Sequence, residues 1–322
     1  MTTALLLFTF VLALLLTLAI RTYAHHKELL DHPNERSSHT MPTPKGGGLA
    51  IMISFYGAVS YLYLQMQIDP KLFFALLSAL PVVIISLIDD IHPLSAKIRL
   101  GVQLLSAASA LYFLGGVDSI DMSIFTLSGV WLNIIALIGI VWMTNLYNFL
   151  DGIDGYAGSE ALFTGIAAFI LFGSTPALFI AVSAAGFLLF NWHKASIFMG
   201  DVGSAPLGFL FAVFMLYDAG TPHFLGWLML LSLFWFDATL TLFRRAKRGE
   251  RLAQPHKKHA YQRLNQAGFT HDKVVLLAMG INLLIFAALY FTHPESYLYL
   301  FLALIVLLYT LTKFIDTKKA FD

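Results

Sequence analysis

The chain has no cysteine among its 322 residues. That excludes disulfide bonds, thiolate nucleophiles and cysteine-ligated metals. Charge is nearly as scarce, with Asp, Glu, Lys and Arg at 12% against 58% hydrophobic residues and a net charge of +1. A soluble globular domain carries about twice that share of charge. Together with a mean hydropathy of +0.75, this composition describes a polytopic membrane protein and gives no reason to expect a nucleic-acid partner. Internal repeats, low-complexity segments and composition breaks are also missing, so residues 1–322 read as a single membrane domain. The first apolar run is not preceded by a basic side chain or followed by a convincing small-x-small cleavage site. It therefore reads as an uncleaved helix rather than a signal peptide.

What is abundant is long hydrophobic sequence. About eleven stretches approach spanning length, at roughly 5–20, 48–64, 72–88, 100–114, 130–143, 156–171, 177–190, 205–217, 224–242, 274–291 and 297–311. A lone span wants about 20 apolar residues, so several of these need polar ends that neighbouring helices satisfy. The expectation is an all-α membrane protein of about eleven transmembrane helices. If the chain changes side at every stretch, nineteen of its twenty Lys and Arg fall on one face, Lys71 being the exception. The positive-inside rule makes that face cytoplasmic, with the N-terminus outside and the C-terminus inside. The cytoplasmic loops are then expected at about 21–47, 89–99, 144–156, 191–204 and 244–273.

The polar residues gather at the ends of odd-numbered stretches. Asp89 and Asp90 close the third, Asn145 to Asp154 follow the fifth, Asn191 to Asp201 follow the seventh, and His256 to Arg263 follow the ninth. All four clusters are thus expected on one face, where they can converge. Polar groups this dense beside a membrane are costly to desolvate and mark bound charge. A transporter would place its coupling carboxylates near the midplane on broken helices. An interfacial position suits a water-soluble substrate meeting a membrane-bound one.

Five carboxylates (Asp89, Asp90, Asp151, Asp154, Asp201) without cysteine favour a hard cation, Mg2+ or Mn2+. Magnesium takes only one or two protein carboxylates, so not all five can be ligands. The cationic loop with His256, Lys257, Lys258, His259 and Arg263 supplies groups that neutralise phosphate. An acidic metal site beside a cationic loop is what phosphoryl transfer requires. Asn148, Asp151 and Asp154 step by three, which puts them on one helix face, whereas Gly152 and Gly155 permit a turn instead. Asp237, inside the ninth stretch, reads as a structural acid paired with a polar neighbour or with Arg244 or Arg245.

The ordered motifs Asp31-His-Pro33-Asn34-Glu-Arg36-Ser-Ser-His39, Pro44-Lys-Gly-Gly-Gly48, Asp89-Asp90, Asn148-Phe-Leu-Asp151-Gly-Ile-Asp154-Gly155, Asn191 with Phe198-Met-Gly-Asp201, and His256-Lys-Lys-His259 run along nearly the whole chain. This set resembles the polyprenyl-phosphate N-acetylhexosamine-1-phosphate transferases, glycosyltransferase family 4. The chain lacks the tight run of histidines of the muramoyl-pentapeptide enzymes and is closer to the O-antigen initiating branch.

The resemblance implies transfer of N-acetylhexosamine-1-phosphate from a cytosolic UDP-sugar to undecaprenyl phosphate in the bacterial inner membrane, with UMP released and Mg2+ required. It makes Asp201 the metal ligand. It sets Asn148, Asp151, Asp154 and Asn191 on the nucleotide-sugar side, Asp89 and Asp90 toward the lipid phosphate, and His256 and His259 near the diphosphate. Lys45 would border the groove, and Arg263 belongs to the substrate-binding set. A homodimer is compatible with the resemblance. Two other classes remain open at this point, a secondary transporter of an anionic solute and a membrane scaffold for polysaccharide assembly.

Overall fold

The computed structural model describes residues 2–33, 41–252, 254 and 256–321. The motif residues Asn34, Arg36 and His39 lie outside them. Among the described residues the fold is helical apart from two short antiparallel pairs, β1 (Leu30–Asp31) with β2 (Thr43–Pro44) and β3 (Ser119–Asp121) with β4 (Thr126–Ser128). The helices are α1 (Thr2–His26), α2 (Gly48–Leu64), α3 (Pro70–Leu77), α4 (Leu80–Ile91), α5 (Ala96–Leu114), α6 (Trp131–Phe149) and α7 (Tyr156–Phe172). They continue with α8 (Thr175–Asn191), α9 (Asp201–Tyr217), α10 (His223–Leu230), α11 (Ser232–Lys247), α12 (Ala260–Gln266), α13 (His271–Phe291) and α14 (Tyr297–Lys318).

Every one of the eleven hydrophobic stretches falls on a helix or on a consecutive helix pair. By length and composition five segments can cross a membrane: 3–26, 70–91, 131–149, 271–291 and 294–318. The pair α10–α11 adds a sixth if its two halves, bent by 69°, count as one span. The rest fall short for physical reasons. The helices α2, α7, α8 and α9 are apolar but 17 residues long, and α5 opens with Lys97 and Arg99 in its first turn. This is an all-α membrane protein.

Buried α9 is the hub, with every residue from Val202 to Leu216 inside. It packs against α6, α4 and α2, while α8 packs against α7, α1 and α2. The helices overrun several of the expected loops. Asp89 and Asp90 belong to the last turn of α4, Asn145 and Asn148 to the end of α6, and Asp201 to the start of α9, so the connections shrink to 92–95, 150–155 and 192–200. Side-chain partners make the extension of α6 possible: the Asn145 amide donates to Gln103 at 2.8 Å and to the Val141 carbonyl at 2.7 Å. Within 244–273 the chain forms α12, whose first amide, Ala260 N–H, donates to both oxygens of Asp237 at 2.9 Å. Asp237 thus caps a helix N-terminus. Of its expected partners a polar neighbour is present, Thr241 Oγ1 donating to Oδ1 at 3.2 Å, whereas Arg244 pairs with Asp316 and Arg245 with Glu250.

Candidate active site

Helix ends carry the site. Asp89 and Asp90 leave α4, Asn148 leaves α6, and Asp201 starts α9, so α4 and α6 packing on α9 brings these side chains together. Arg99, one turn into α5, holds the group: its guanidinium lies 2.8 Å from Asp89 and 3.1 Å from Asp201. The other Asp89 oxygen accepts the Leu94 amide at 2.6 Å. Asp90 accepts the amides of Asp201 at 3.3 Å and Val202 at 3.1 Å, placing a carboxylate on the positive end of α9. Lys45 Nζ stands 3.9 Å from Asp90, and the Asn148 side chain hydrogen-bonds Asp201.

The Lys45 wall is fixed by backbone. Phe198 N–H donates to the Pro44 carbonyl at 2.8 Å, Gly47 N–H to Phe198 at 3.0 Å and Gly48 N–H to Met199 at 2.9 Å. At the next step α2 meets α9 without side chains between them, since a Cβ on Gly48 would lie 2.3 Å from the Gly203 Cα. Only glycine permits that approach.

Asp151, in the turn after α6, is pushed up to about 8, first by burial and then by the carboxylates of Asp201 and Asp90. An all-oxygen donor set of clustered carboxylates fits a hard divalent cation.

The histidine loop closes against the same turn. Tyr261 Oη donates to the Phe149 carbonyl at 3.1 Å, and the His259 and Phe149 rings lie 6.2 Å apart. His256 and His259 are 4.8 Å apart, ring to ring. His259, expected near the diphosphate, is only 3% exposed, with Nδ1 3.8 Å from Asp237. His256 is pulled down to about 4 by burial, then by the neighbouring His259 and Arg245.

Three residues expected on the substrate side commit their polar atoms to protein partners. Arg263, 2% exposed, pairs with Asp316 and donates to the Lys319 carbonyl, because α14 returns over α12. The Asn191 amide clamps two loops, accepting from Gly155 N–H at 3.1 Å and donating to Ile197 at 2.9 Å. Asp154 turns to His193 and His271 rather than to the carboxylate group, and their hydrogen bonds outweigh its burial and hold it below the usual carboxylate range.

Sequence reasoning passed over Arg99, His193 and His271. Arg99 carried a signal, a cation in the first turn of the helix that follows the paired aspartates. The two histidines carried none, since 78 positions separate them.

A profile described as glycosyl transferase family 4 matches residues 72–218, the stretch that contains Asp89, Asp90, Asn148, Asp151 and Asp201. A decaprenyl-phosphate N-acetylglucosaminephosphotransferase of Mycobacterium leprae is 31% identical, covering 87% of this chain and 84% of its own length. The chain belongs to this family. A probable undecaprenyl-phosphate N-acetylglucosaminyl 1-phosphate transferase of Bacillus subtilis is 27% identical over 92% of the chain and 86% of its own length. An undecaprenyl-phosphate alpha-N-acetylglucosaminyl 1-phosphate transferase of Thermotoga maritima is 28% identical over 93% and 94%. The family-4 chain is thus similar to these proteins along nearly all of its length.

Proposed function

We propose that this protein transfers N-acetylhexosamine-1-phosphate from a UDP-sugar to undecaprenyl phosphate at the cytoplasmic face of a bacterial inner membrane, starting an O-antigen-like surface polysaccharide. The observation that carries the reading is the convergence of Asp89, Asp90 and Asp201 on Arg99 and Lys45 at one cluster of helix ends, with Asp151 in the adjoining turn near enough to feel the charges of Asp201 and Asp90. The names of the similar proteins favour N-acetylglucosamine as the sugar.

In this reaction an oxygen of the lipid phosphate bonds to the sugar-bearing phosphorus of the UDP-sugar. The phosphoanhydride P–O bond breaks, and its electron pair leaves with UMP. Asp201 would hold Mg2+, and Asp151, which feels the charge of Asp201, would be a neighbouring carboxylate able to share it. The ion would supply charge neutralisation where two anionic phosphates meet. Arg99 fixes the Asp201 side chain, Lys45 offers a cation for phosphate, and the buried turn at Asp151 limits water around the donor.

Incubating the purified protein with undecaprenyl phosphate, Mg2+ and a panel of UDP-sugars tests the reading. UMP and a lipid diphosphate sugar of the expected mass should appear with UDP-N-acetylglucosamine. No product with any UDP-N-acetylhexosamine overturns it, and solute flux into vesicles without UMP release would point to a transporter.

A further inference from the structure

Behind the turn that bears Asp151 lies a second cluster with different chemistry. Asp154 sits in that turn, His193 in the loop after α8, and His271 is the first residue of α13. Nδ1 of His193 is 2.9 Å and Nδ1 of His271 is 3.2 Å from the same carboxylate oxygen, Oδ2 of Asp154. One ligand atom from each residue falls within a common 4.8 Å. Metal–ligand bonds of about 2.0–2.2 Å put neighbouring ligand atoms about 3.0–3.5 Å apart, so the two imidazole–carboxylate distances need little change to admit an ion, which would displace the Asp154 N–H that now donates to His271 Nδ1 at 3.3 Å.

Burial and support agree with that geometry. Asp154 and His271 are each 9% exposed and His193 is 29% exposed, leaving two donors inside and one at the mouth, where an ion and a water can enter. The surrounding backbone holds the carboxylate in place, with Ala195 N–H donating to Asp154 Oδ2 at 3.3 Å and Gly155 N–H tied to Asn191. Outer partners of this sort orient metal ligands. Two imidazoles and one carboxylate prefer a borderline transition metal to the hard cation expected at Asp201.

We propose that Asp154, His193 and His271 form a transition-metal site, best suited to Zn2+, that staples the Asp151 turn to the loop after α8 and to the head of α13. The site is separate from the four-carboxylate cluster. Hydrogen bonds alone would hold the same three side chains together without metal, and the experiment distinguishes the two.

The full-length protein, prepared without chelator and with an affinity tag free of histidine, is equilibrated with Zn2+, desalted and assayed for bound metal. Co2+ titration followed by visible absorption reports the ligand field. One equivalent of Zn2+ per chain is expected in the wild type and in Asp201→Asn. The His193→Ala variant, at the most exposed ligand, should bind at least about tenfold more weakly, and His193→Asp should recover part of the loss. Zn2+ should raise the melting temperature of the wild type but not that of folded, monodisperse His193→Ala. A wild type that retains no more Zn2+ than His193→Ala overturns the proposal and leaves a hydrogen-bonded clamp. Metal content is read without turnover, so failure of the transferase reading would leave this result standing.

Discussion

At the scale of single residues, the paired aspartates differ in what they can do. Asp90 caps α9, and Asp89 has one oxygen on Arg99 and the other on a backbone amide, so both carboxylates already hold structural partners. A phosphate monoester has a second pKa of about 6 and is mostly dianionic at neutral pH, so an acceptor phosphate needs no base. Asp89→Asn keeps the amide contact and weakens the grip on Arg99. It should therefore retain measurable transfer that falls below about pH 6 as the acceptor protonates, whereas Asp201→Asn should be inactive. UMP release across a pH series checks both, and an Asp89→Asn enzyme inert at every pH with substrates bound would favour a base.

His256 gives a second pH signature. Its folded pKa of about 4 lies below the ordinary 6.5, so between those values the unfolded chain binds more protons than the folded one. The contribution of neutral His256 to stability is full above pH 6.5 and is lost as pH falls toward 4. His256→Gln should flatten the decline in melting temperature across that window, as read by fluorescence in detergent.

At the scale of elements, the turn 150–155 and α12 are fitted to one another. A Cβ on Gly152 would lie 2.0 Å from Tyr261 Oη, the hydroxyl that holds α12 to the end of α6. Gly152→Ala must displace that hydroxyl, an overpacking cost of about 1–3 kcal/mol. It should lower melting temperature and turnover together, and Tyr261→Phe in the Gly152→Ala background should regain part of the stability. A double-mutant cycle in melting temperature measures the coupling.

The elements also show how far sequence reading reaches. Long apolar runs specify helices, and all eleven runs lie on them, because burying backbone in lipid leaves helix as the economical choice. Helix ends were less legible. Polarity suggested loops at Asn145, Asn148 and Asp201, where side-chain hydrogen bonds to other helices let the helix continue. Convergence of Asp89, Asp151 and Asp201 followed from their spacing after apolar runs. The commitments of Arg263 to Asp316 and of Asp154 to His193 and His271 depend on long-range packing, which no local pattern encodes.

At the scale of the whole molecule, the charge pattern is a topology experiment waiting to be done. The chain contains no cysteine, so each introduced thiol is the sole target of a maleimide. Lys194→Cys and Lys257→Cys should be shielded from an impermeant reagent in right-side-out vesicles and label in inverted ones, while Lys71→Cys should do the reverse. A same-side result for Lys71→Cys and Lys257→Cys would reject the alternating arrangement and the cytoplasmic placement of the site.

The glycine contact between α2 and α9 has a mechanical consequence. With Gly48 and Gly203 backbone to backbone and residues 44–48 hydrogen-bonded to 198–199, the Lys45 and Asp201 walls of the site are expected to move as one rigid jaw. The 150–155 turn is tied to the loop after α8 through Asn191, Ala195 and His193, so any opening of the site must belong to the histidine loop. Spin labels at positions 45 and 196 should keep one narrow distance distribution as UDP-sugar is added, while labels at 45 and 257 should change theirs. Broadening of the first pair would show that the jaw flexes.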